Sequence, residues 1–150
     1  MEQKYWINIR DKPAFLSRLM RELSSDDSQI LLEGDLSDCE FQLIEKLDLS
    51  GELFVCDQGA SYVVLPLREK YIKSILNQVL PYARVVHKIS HIQIQKNESI
   101  QLLIGDNFHN ECISVGPEVS FSFLENLKDA GIIRSFLSDE DARKKYLRTR

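Results

Sequence analysis

An α+β protein, or its α/β relative, built on one mixed β-sheet with four to five helices is the architecture expected of this 150-residue chain. One reason is that segments with the 3.6-residue apolar period of helices are interspersed with short β-branched runs. Another is their order, β-α-β-α-β-β-α-β-β-β-α-α, in which early interleaving gives way to clustered strands. No internal repeat and no Pro- or Gly-rich linker breaks the chain, so residues 1–150 are read as one globular domain. An appendage, if present, would begin near Asn97 or comprise residues 132–150.

Lys4–Ile9 is the first strand, since Tyr5, Trp6, Ile7 and Ile9 suit a pleated surface. Asp11 offers an N-cap, with Pro13 tolerated in the first turn of the helix that follows. Phe15, Leu16, Leu19, Met20 and Leu23 form one apolar stripe along that helix, and Ser24–Ser28 ends it. Gln29–Gly34 is the second strand. A split β-α-β unit is one way to close this first half, with 36–50 inserted. Within that insertion, Ser37 and Glu40 have capping-box spacing and Leu36 and Phe41 staple spacing, which predicts a helix over Leu36–Leu47.

Leu53–Cys56 and Ser61–Leu67 read as a hairpin around Asp57-Gln58-Gly59. Ile72, Ile75, Leu76, Val79 and Leu80 predict a helix over Glu69–Leu80, stopped by Pro81. Val85–Gln95 is a long strand that Asn97-Glu98 turns back into Ile100–Ile104. Cys112–Val115 follows as a third member of this cluster. Pro117 and Gly131 have the positions of a helix start and a helix end. Ile132–Leu137 is a short strand. Ser138 caps a last helix with Asp139, Glu140 and Asp141 in its first turn and Lys144, Lys145 and Arg148 near its end, matching the macrodipole.

Composition excludes several functions. Apolar residues are 43% and charged residues 28%, as in ordinary globules. The longest apolar runs are Leu53–Cys56 and Tyr62–Leu65, far short of the roughly 20 residues that span a membrane. Met1-Glu2-Gln3-Lys4 lacks the basic flank and apolar stretch of a secretory signal. Three cysteines, Cys39, Cys56 and Cys112, cannot all pair within one chain, which favours free thiols and a cytoplasmic setting. Cys56, inside an apolar run, reads as core.

The net charge of −4 conceals a strong block pattern: residues 1–24 carry +2, 25–60 carry −9, 61–96 carry +5, 97–130 carry −5 and 131–150 carry +3. The overall negative charge argues against nucleic acid as a direct partner. The Arg143–Arg150 tail reads as a solvated helix end.

The chemistry-bearing residues form no strong motif. His87 and His91 have the spacing of a helical zinc pair, but on a strand they stand about 13 Å apart, too far to share an ion. Asp106, His109, Glu111 and Cys112 gather a base, two carboxylates and a thiol, in a stretch whose Gly, Asp, Asn and His also suit a plain loop. Glu33, Asp35, Asp38 and Glu40 miss the glycine and several ligand positions of a calcium loop. The six glycines never have phosphate-loop spacing. No metal and no cofactor is expected.

The function expected is a non-catalytic protein-binding module with an acidic surface, of inhibitor or immunity type, for a basic partner. Clustered carboxylates raise the association rate with such a partner and reject others. Asp35, Asp38, Glu40, Glu45 and Asp48 are the candidate contact residues. The competing possibility is that Lys70, Lys73, Arg84 and Lys88 neutralise them within the fold. One alternative function is a small-molecule-sensing regulatory domain with a pocket between sheet and helix. Another is an enzyme centred on His109 with Glu111 or Cys112.

Overall fold

The computed structural model describes residues 4–36, 41, 44, 46, 61–79, 89–105 and 113–148. Seven strands and four helices are found there. They are β1 (Tyr5–Ile9), α1 (Lys12–Leu23), β2 (Ser28–Gly34), β3 (Ser61–Pro66), α2 (Glu69–Val79), β4 (Ile89–Lys96), β5 (Ser99–Ile104), β6 (Ile113–Val115), α3 (Phe121–Asp129), β7 (Ile133–Ser138) and α4 (Asp139–Arg148). The strands form one sheet in the order β3-β2-β4-β5-β6-β1-β7, an α+β fold. The helix expected over Leu36–Leu47, the strand over Leu53–Cys56 and the residues 80–88 fall largely or wholly outside the described residues.

A mixed sheet was the expectation; the observed pairing is antiparallel throughout. The parallel relations are displaced to strands that are not neighbours. β3 and β4 both run antiparallel to β2, which lies between them, and α2 connects them. β6 and β7 flank β1 in the same way, connected by α3. α1 joins β1 to β2, which run parallel with β6, β5 and β4 between them.

The two faces of the sheet differ in chemistry. Alternate residues point to opposite sides. On one side the rows Val63–Leu32–Ile92–Ile104–Ile113 and Leu65–Ile30–Ile94–Leu102–Val115 are apolar across five strands. These residues share one cluster with the stripes of α1, α2 and α3, so the helices cover this face. All five apolar stripe residues of α1 are buried. At roughly 1.5–3 kcal/mol for each such side chain, burial outweighs intrinsic helix propensity in holding α1 in place. Phe41 and Ile44 join the same core, which anchors the acidic segment at two points.

Capping residues set the helix boundaries. Asp11 accepts the Ala14 N–H at 3.1 Å and caps α1. Ser138 accepts from Asp141 N–H at 3.2 Å and caps α4. At α3 the expectation fails in one respect: Pro117 does not open the helix. Pro117 lies in a tight turn closed by Val119 N–H to the Gly116 carbonyl at 3.1 Å, where its fixed φ suits the second position. Ser120 then caps α3 through the Phe123 N–H at 3.1 Å. Gly131 ends α3 as expected. Its φ of 75° permits Gly131 N–H to reach the Lys128 carbonyl and Ile132 N–H the Leu127 carbonyl, a Schellman motif.

Three bulges interrupt the ladders. Ser90 is the unpaired extra residue opposite Glu33–Gly34, Gln101 that opposite Ile94–Gln95, and Arg134 that opposite Asn8–Ile9. The Gln101 bulge builds a joint. Its buried side chain accepts the Glu118 N–H at 2.9 Å, and its carbonyl accepts the Gly116 N–H at 2.9 Å. The turn leading to α3 is thereby tied to β5.

Candidate functional site

An acidic surface lies where α1 hands over to β2, with Asp26 and Asp27 exposed there. Ser28 is buried and donates its hydroxyl to the Leu23 carbonyl at the end of α1. Its Oγ also lies 2.8 Å from Ser25 Oγ, which accepts the Asp27 N–H at 3.2 Å. Ser25 N–H reaches the Leu67 carbonyl, and Leu67 N–H returns to the Ser28 carbonyl. The loop is thus bound to α1 on one side and to the end of β3 on the other.

Asn97 and Glu98 complete this surface at the β4–β5 turn. Both have positive φ, 53° and 67°, as the two central residues of a type I′ hairpin require. Asn97 N–H donates to the Asp27 carbonyl at 3.2 Å, so turn and loop are held together. Between them lies an open cavity of about 410 Å³ lined by Asp26, Asp27, Gln29, Pro66, Arg68 and Glu98, among others.

Three carboxylates therefore stand exposed on one hydrogen-bonded frame. Arg68 Nε approaches Asp26 at 3.9 Å, but the Asp26 side chain is 94% exposed. An ion pair so open to water is worth at most about 1 kcal/mol, and with Arg68 counted the three carboxylates keep a net charge of about −2. Lys96, on the same turn, pairs instead with Glu118 at 3.7 Å. Among the described residues neither Asp27 nor Glu98 has a cation within 4.0 Å.

Of the acids singled out in the sequence, Asp35 is exposed just after Gly34. It sits at the opposite end of β2 from Asp27, roughly 20 Å of strand away. Asp35 and the Asp26–Asp27 pair therefore belong to two separate surfaces. Asp38, Glu40, Glu45 and Asp48 lie outside the described residues. So do Arg84 and Lys88 among the proposed neutralising cations. Lys70 is engaged over the Tyr71 ring at 4.9 Å, and Lys73 is exposed on α2. The acidic contribution of Glu98, 71 residues downstream of Asp27, was not legible: only the β2–β4 pairing brings them together.

The sheet face opposite the helices carries a second polar array. Glu33 is fully buried there, across from His91 on β4, with His91 Nδ1 4.0 Å from its Oε1. Gln93 and Gln95 follow along β4, both buried. The bulge at Ser90 turns its hydroxyl to within 3.1 Å of the same His91 Nδ1 and 3.3 Å of the Glu33 carbonyl. Serine and carboxylate both address one ring nitrogen. A proton relay needs them on opposite nitrogens, so this is not the arrangement of a Ser-His-carboxylate nucleophile.

His91 lies on a strand, as the zinc argument assumed; His87 is outside the described residues. Of the four acids weighed against a calcium loop, Glu33 is buried and Asp35 exposed, and Asp38 and Glu40 are outside the described residues. No group of three or more His, Cys, Asp or Glu able to hold a metal occurs among the described residues. Asp106, His109, Glu111 and Cys112, and with them Cys39 and Cys56, lie outside them.

No protein-family model matches the chain, and neither a curated protein nor a solved structure matches it.

Proposed function

We propose that this chain is a non-catalytic protein-binding module whose acidic surface receives a basic partner, in the manner of an inhibitor or immunity protein. The observation that carries the reading is the triad Asp26, Asp27 and Glu98. These carboxylates are exposed, and the Asp27 backbone is held at both its N–H and its carbonyl, with Asp26 next to it in the loop and Glu98 next to Asn97 in the turn bonded to it. Such preorganisation lowers the ordering cost of association. Clustered negative potential adds electrostatic steering. Asp35, Asp38, Glu40, Glu45 and Asp48 supply further charge in this reading. A cytoplasmic setting fits its three cysteines, and no described helix is long and apolar enough to cross a membrane.

Affinity capture from the native host tests it. Wild type is compared with the triple variant Asp26→Lys/Asp27→Lys/Glu98→Lys and with Asp38→Lys/Glu45→Lys. The expected result is a basic protein retained at low salt, released as salt rises, and lost with one or both variants. Retention of the same proteins by wild type and by both variants would refute the reading.

A second reading is a small-molecule-sensing domain; its site moves from between sheet and helix, where an apolar core is packed, to the opposite sheet face, where the buried polar file Glu33, Gln93 and Gln95 favours it. Metabolite-dependent thermal stabilisation supports that reading, and loss of the stabilisation in Gln93→Leu would locate it. Lack of any shift across a broad metabolite panel counts against it.

A further inference from the structure

We draw no further inference here: the strongest candidate, the aromatic patch formed by Tyr5, half-exposed Phe121 and Phe136 where β1 and β7 meet the start of α3, is an unpartnered apolar face, and nothing in the structure shows what covers it.

Discussion

Replacing Gly116 by alanine tests the joint between β5 and the turn that leads to α3. A Cβ at this position would stand 2.5 Å from Gln101 Oε1, 2.6 Å from the Ile100 carbonyl oxygen and 3.2 Å from Gln101 Cα. Comfortable non-bonded separations begin at roughly 3.5 Å, so the first two contacts each demand nearly 1 Å of movement. The Gln101 side chain can swing away, but only by giving up its bond to Glu118 N–H. The Ile100 carbonyl is backbone in β5 and cannot move without disturbing the strand. Overpacking of this kind costs about 1–3 kcal/mol, and a buried polar group left without its partner about 1–3 kcal/mol more.

Gly116→Ala should therefore lose about 2–6 kcal/mol in urea unfolding followed by circular dichroism. For a chain of this size that lowers Tm by roughly 4–24 °C. Adding Gln101→Ala removes one clash and leaves the other. The double variant should therefore be more stable than the sum of the two single changes implies, by about 1 kcal/mol. A Gly116→Ala protein within about 0.5 kcal/mol of wild type, a change typical of unconstrained surface sites, would show that the close approach to β5 does not exist.

Three further substitutions probe other joints. Ser28→Ala removes the bonds to the Leu23 carbonyl and Ser25 Oγ from a buried site, and should cost about 1–3 kcal/mol in chemical denaturation. Glu98→Gly replaces a side chain at φ 67° by the residue that a type I′ turn prefers, and should stabilise by about 1 kcal/mol; a lower Tm would contradict the turn assignment. Leu19→Ala opens a cavity at a fully buried position of α1 and should cost about 2–5 kcal/mol. An unchanged denaturation midpoint would mean that α1 is not packed on the sheet.

Local instructions in this chain are strong and were legible. The stripe from Phe15 to Leu23, the caps Asp11 and Ser138, and the stop at Gly131 each act within a few residues, where short-range geometry and hydrogen bonding decide the outcome. Pro117 shows the limit of that logic. Proline suits the first helical turn and the second place of a tight turn equally well, and the Gly116 carbonyl together with the Ser120 cap chose between them.

Tertiary structure alone decided what lies beside what. Alternation within β2 says that Ile30 and Leu32 share a face. It does not say that β4 and β3 flank that strand, or that β1 crosses to the far side of the sheet beside β7. Pairing partners are selected by burial summed over the whole sheet, a quantity that no local window contains. For the same reason those acids of the 25–60 block that lie among the described residues divide among separate places in the fold. Glu33 goes into the interior, Asp35 to one end of β2, and Asp26 and Asp27 to the other end beside a glutamate from a distant turn. Charge content was written in the chain; its grouping depended on long-range strand pairing, because only folding brings residues so far apart in sequence to one edge.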